Sequence, residues 1–365
     1  MEIEKIELGE KIQKLEKEIA DLEAQLNALR NQVATLQEDK AKLISENQIL
    51  RQNVTILSSE LENLHKEISE LQKYPNYWKT VAEIFESQGK YAQALDAYHR
   101  VIDSTNASND DLFYAIKQVA RLNKIVPPNL NPELANTYYA IVYIFKHINV
   151  KLSDGRTVAY NLTDQEIQDI RKQFDIVSDK VFNLTRGAIL MKFDFRLIEI
   201  PLTRVTEEGP DKVNWPKGDD PGVIWMFNDF RTSDPRYFNH FMVWEARPPL
   251  RPAIPGGASE NHVGVVYYPK DPAGWWTREF FVEVIIHEWL HCVDCMMVRI
   301  GYPDELVPNP DGGRDEGYTG NEPFVDPDYR RPIGETTWYG YYRHIMQEHI
   351  TPRMWRRLVT EYARP

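Results

Sequence analysis

Residues 1–73 carry an unbroken seven-residue period, and no other feature of this 365-residue chain restricts its folding as strongly. Ile12, Ile19, Leu26, Val33, Lys40, Asn47, Val54, Leu61 and Ile68 fall at position a, and every d position from Leu15 to Leu71 is leucine. No proline interrupts the run before Pro75. A strict seven-residue repeat keeps its apolar seam against a partner only if the helices wind about each other left-handedly. A solitary solvated helix would leave nine aligned leucines bare, so the pattern specifies a coiled coil. β-branched residues at a with leucine at d favour two parallel strands, and polar Lys40 and Asn47 at a hold the register against larger assemblies. Between g and e positions, Lys11 with Glu16 and Glu46 with Arg51 attract, while Glu18 with Glu23 repels. The expected state is a homodimer through residues 8–71, with a trimer or a heteromeric partner coil as the alternative.

Tyr74-Pro75 closes the repeat. Beyond it, Trp78, Ala82, Phe85, Gly89, Tyr91, Ala94 and Tyr98 stand at the signature spacings of a tetratricopeptide repeat, and the segment resembles that family. The resemblance implies a helix from Trp78 to Glu86, a turn at Gly89 and a second helix from Tyr91 to Asp103. Two more helices, without the signature, are expected at about 110–122 and 132–148. A peptide-binding solenoid needs about three repeats, so 74–150 reads as a helical spacer.

At Asp154-Gly155 the chain changes character. Thr163 and Glu166 form a capping box that opens a helix to Leu184. Residues 188–204 are rich in Ile, Leu and Phe and read as strand, with shorter strands expected at 223–227, 241–244 and 262–268. The fold class is therefore α+β: a coiled coil over 1–73, helices over 74–150, and a domain with a small mixed sheet over 151–365.

The chemistry concentrates in Phe280–Ile300, FFVEVIIHEWLHCVDCMMVRI, which is apolar on nearly every side and reads as a helix buried all round. Thr277 can cap its start, and Gly301 with Pro303 ends it. Glu283, His287, His291 and Asp294 step by four, four and three along one helical face. A polar seam inside a buried helix is costly unless something pairs with it. His287-Glu288-Trp289-Leu290-His291 is the HExxH pattern, whose two imidazoles one turn apart suit Zn2+. The bland alternative is a pair of core histidines satisfied by neighbouring protein groups.

Composition narrows the field. A formal charge of −12 without a Lys/Arg cluster argues against a nucleic-acid partner. No run of about 18 apolar residues is present, so no membrane span is expected. Residues 1–30 lack the apolar core of a signal peptide. The only cysteines, Cys292 and Cys295, read as small apolar residues of the buried helix. This usage fits a cytoplasmic setting without excluding secretion. Sequons at Asn53, Asn106, Asn161 and Asn183 carry little weight here.

Over about 160–365 the order of helix, strands and HExxH helix looks like the upper half of a zincin metallopeptidase. His287-Glu-Trp-Leu-His-Cys-Val-Asp294 resembles the HExxHxxD form of some gluzincins, the lethal-factor-like group among them; the metzincin continuation is absent. The resemblance implies that His287 and His291 hold zinc and that Glu288 takes a proton from the water the metal activates, then returns it to the leaving amine. Asp294 and Glu283 become partners for the remote nitrogens of His291 and His287. It also implies an edge strand for extended substrate, for which His262–Tyr268 is the natural choice. For the third zinc ligand Glu335 comes first, opening a helix that carries Tyr339 and Tyr342 on the same face. Asp315 and Glu316, with Tyr318 beside them, follow, and then His344. Tyr339 or Tyr342 could donate to the tetrahedral oxyanion. Glu348 and His349 read with His344 as a partly solvated helix end. The leading expectation is a zinc endopeptidase acting on peptide or protein and displayed on a coiled-coil dimer. The alternatives are a zinc aminopeptidase and a catalytically idle scaffold acting through its coil and repeat.

Overall fold

In a computed structural model of the chain, residues 2–209, 212–245, 251–252, 256–259, 263–268, 278–303, 306–307, 310 and 339–362 are described. The chain divides into two compact units, Met1–Leu71 and Gln72–Pro365. The first is one helix, α1 (Glu2–Leu71), whose heptad side chains stand open in the single chain: Leu22 is 62% exposed and Leu36 66%.

The second unit begins with a helical hairpin, α2 (Pro75–Ser87) and α3 (Tyr91–Ile102). Pro75 takes the first helical turn, where a missing N–H costs nothing, and Gly89 makes the turn at φ +70°. A capping box between Ser108 and Asp111 opens α4 (Asn109–Asn123). The helix expected over 132–148 is instead a strand, β1 (Asn136–Phe145). An apolar run this short satisfies helical and strand spacing equally, and its β-branched and aromatic content decides. Its alternate side chains enter opposite cores: Ala140, Val142 and Ile144 on one face, Ile141, Tyr143 and Phe145 on the other. The sheet therefore starts well before residue 151, and the spacer ends at α4.

A hairpin of β2 (His147–Lys151) and β3 (Thr157–Asn161) follows. Next comes α5 (Asp164–Leu184), opened by the capping box of Thr163 and Glu166 as the sequence reads. Then come β4 (Ile189–Ile198), β5 (Val205–Gly209) and β6 (Lys212–Pro216). Residues 223–227, expected as strand, lie in α6 (Pro221–Thr232). Buried Asp220 caps that helix, accepting from the Gly222 amide at 2.9 Å and from Thr203 and Arg204. The remaining strands are β7 (Tyr237–Glu245), β8 (Arg251–Pro252), β9 (Gly256–Ser259) and β10 (Val263–Tyr268). They lead to α7 (Arg278–Arg299), α8 (Tyr339–His344), a π-turn at Ile345–His349 and α9 (Pro352–Glu361), which Thr351 caps.

The main sheet runs β4-β1-β7-β10-β9, parallel except for the antiparallel β9. A smaller sheet, β5-β6-β8, stands apart. One face of the main sheet shares a core with α5 and α7 and with the flanking helices; the other packs on α6 and the β2–β3 hairpin. Buried on both faces, β1 and β7 read as near-continuous apolar runs, as parallel strands under helices do. β10 is hydrogen-bonded on both sides, so the edge position expected for His262–Tyr268 belongs, among the described residues, to β9. His262 itself lies outside the described residues.

The α5–β4 corner depends on Gly187, at φ +85°, where an added Cβ would fall 2.0 Å from the Asn129 carbonyl oxygen. Arg186 beside it sends its guanidinium to the Asn123 and Val126 carbonyls. Gly187→Ala combines a left-handed penalty with a backbone clash and should cost roughly 2–4 kcal/mol, read as a fall in melting temperature of the full chain.

Candidate metal centre

Helix α7 is buried around its circumference from Phe281 to Leu290, with Glu283 2%, His287 7% and Glu288 3% exposed. The sheet, α5 and α9 enclose it, and the indole of Trp289 stacks on that of Trp355 with ring centres 5.7 Å apart. Within this apolar setting the Nε2 atoms of His287 and His291 face each other at 3.2 Å. A tetrahedral ion with metal–nitrogen bonds of about 2.0–2.1 Å sets two such donors about 3.3–3.4 Å apart. The separation is close to that of two nitrogens on one zinc ion and also matches an N–H···N hydrogen bond between the two rings; His291 is half-buried.

The remote nitrogen of His287 is also occupied. Its Nδ1 lies 2.9 Å from the hydroxyl oxygen of Tyr342, which α8 brings in and which is 1% exposed. A residue from the later helix, rather than Glu283, thus meets that nitrogen. Glu283 is buried on α7 one turn before His287, and Asp294, half-buried, lies three residues after His291.

Glu288 sits between the histidines and against β10. A Cβ on Gly264 would lie 2.8 Å from the Phe241 ring and 3.4 Å from the Glu288 Cβ, so the missing side chain lets strand and helix close up. A lone glycine inside an apolar strand signals such an approach. Cys292 is fully buried, and burial, followed by the Glu288 carboxylate, pushes its thiol far above the usual range. Neither Cys292 nor Cys295 forms a disulfide, in keeping with the reading of the pair as packing residues of the helix.

The residues expected as a third ligand lie mostly outside the described residues. Glu335, Asp315, Glu316 and Tyr318 lie outside the described residues, as does the side chain of Tyr339, which opens α8. Among the described residues no group of three or more His, Cys, Asp or Glu converges as a metal site. His344 points elsewhere: its Nδ1 is 2.5 Å from the Glu348 carboxylate, and its Nε2 is 3.0 Å from Nε2 of His349.

His344, Glu348 and His349 are buried, at 1%, 7% and 0% exposed, and are not the partly solvated helix end that the sequence suggests. The π-turn accounts for the difference, because its wider winding brings residues five apart onto one face. His349 Nδ1–H donates to the Leu306 carbonyl at 3.0 Å, which leaves Nε2 of the neutral ring as an acceptor. A proton from His344 completes that contact. Burial, reinforced by His344, holds the His349 pKa well below its ordinary 6.5.

Comparison of the chain with family models, curated proteins and solved structures finds no match. No helix among the described residues is long and apolar enough to cross a membrane.

A depressed histidine pKa means that the unfolded chain binds the proton more tightly. The contribution of His349 is then fully present above about pH 6.5 and is lost as pH falls below it, by up to about 1.4 kcal/mol per pH unit. Chemical denaturation between pH 7 and 5 should show this slope. His349→Gln, which keeps a donor for the Leu306 carbonyl, should flatten it.

Proposed function

We propose that the chain is a zinc-dependent peptidase whose metal is held by His287 and His291. The observation that carries this reading is the 3.2 Å approach of two Nε2 atoms on a buried helix, with the Glu288 carboxylate one residue from the first of them. Glu335 remains the first choice for the third ligand, ahead of Asp315 and Glu316. The bound ion would polarise the scissile carbonyl and acidify a water.

Glu288 takes the proton of the attacking water and hands it to the departing amine nitrogen. Its burial keeps bulk water from competing for that proton. Substrate lies extended along β9, an edge strand among the described residues, adding one more strand by main-chain hydrogen bonds. Helix α5, strand β4 and the later strands of a mixed sheet precede the HExxH helix, the order on which the likeness to zincins is drawn, while β1, an inner strand of that sheet, comes ahead of α5. Endopeptidase action is the first reading and aminopeptidase action, which would need an acidic anchor for the substrate amine, the second.

Glu288→Gln should leave zinc content unchanged while turnover of a mixed peptide library falls by about 10²–10⁴-fold. Turnover that survives this substitution would instead support a scaffold acting through α1 and the helical hairpin.

The open heptad seam of α1 is proposed to pair with a second copy of the chain. Leu36→Asp together with Leu43→Asp should reduce the sedimenting mass of the full chain from dimer to monomer. An unchanged mass would remove the coil from the assembly.

A further inference from the structure

We infer that Tyr342 is a positioning residue that holds His287 in register for its metal, rather than a donor to the oxyanion of the reaction. The inference rests on the zinc reading above and concerns the atom behind the metal-facing nitrogen. His287 presents Nε2 toward Nε2 of His291 at 3.2 Å and Nδ1 toward the Tyr342 hydroxyl at 2.9 Å. A nitrogen that ligates a cation must be bare, so the ring proton of His287 resides on Nδ1 and the phenol oxygen accepts it. The two nitrogens of an imidazole point to different sides of the ring. The hydroxyl therefore sits behind His287, on the side turned away from His291.

Position and burial agree with that role. Tyr342 and His287 are 1% and 7% exposed, with ring centres 5.9 Å apart, so neither ring swings freely. The helix bearing Tyr342 is fixed from its next turn by the chain from Glu348 through His344 and His349 to the Leu306 carbonyl. Gln347 adds hydrogen bonds to the Leu184 carbonyl and from Asn123.

Metal-bound histidines usually give their remote N–H to a carboxylate or backbone carbonyl. A phenol is neutral and a weaker acceptor. It fixes the tautomer and the ring plane while passing less negative charge to the ligand, which leaves the cation a stronger Lewis acid.

The test uses the full chain, with zinc affinity measured by competition against a chromogenic chelator and steady-state kinetics at saturating zinc. For Tyr342→Phe, zinc affinity should fall by about 10–100-fold, while kcat at saturating zinc falls less than tenfold. The visible spectrum of the Co2+-loaded protein should also shift. Unchanged zinc affinity with a kcat loss of about 10²–10³-fold would overturn the inference and make Tyr342 an oxyanion donor. The unsubstituted chain gives a second check that does not depend on the variant's folding. In its zinc-loaded form the Nδ1–H of His287 should appear in the nuclear magnetic resonance spectrum as a hydrogen-bonded, slowly exchanging proton, and its absence would sink the assignment. A wild-type chain that binds no zinc defeats the zinc reading itself; a wild type that binds it, with a variant that binds equally well, defeats only the role given to Tyr342.

Discussion

A helix buried around the turn that carries His287 and Glu288 cannot hold an imidazole and a carboxylate there unless their polarity is answered from within. That requirement governs the second unit of this protein. Burial of α7 removes water as a partner for His287 and Glu288 and fixes both side chains in the absence of solvent exchange. The surrounding elements supply the answer piecemeal. β10 approaches closely because residue 264 has no side chain, α8 contributes a phenol, and α9 lays an indole over the neighbouring turn. Precision at such a centre comes from supports that are themselves packed and bonded.

The two histidine pairs show how little separates a structural pair from the one proposed to ligate. In each, two Nε2 atoms meet within 3.2 Å. The pair on the π-turn is closed at both ends, by a carboxylate and a carbonyl, and both its rings are fully buried. The pair on α7 has a neutral hydroxyl behind His287, and one ring, His291, reaches toward solvent. The π-turn pair is fully buried, whereas His291 of the α7 pair is only half-buried.

Patterns written locally were legible from the residues. The heptads of α1, the capping boxes at Ser108 and Thr163, the Thr351 cap and the buried helix of Phe280–Ile300 all follow from neighbours within a few positions. Residues 132–148 and 223–227 fold otherwise than their spacing suggests for one physical reason: a short apolar run states that it is buried but not how its backbone winds. In 223–227 the deciding residue was Asp220, whose carboxylate caps a helix only because Thr203 and Arg204 bring it there. The contact between His287 and Tyr342 spans 55 positions and no local spacing announces it. The π-turn that buries His344 and His349 is likewise a tertiary choice, since an ordinary helix would set them on different faces.

The parallel stack of Trp289 and Trp355, with planes 6° apart, ties the residue following Glu288 to the last described helix. Two indoles this close couple their strong far-ultraviolet transitions, and the resulting dichroic couplet is absent when either ring is missing. The protein thus carries its own optical gauge of whether the C-terminal helix is seated, one residue from the carboxylate on which the proposed chemistry depends.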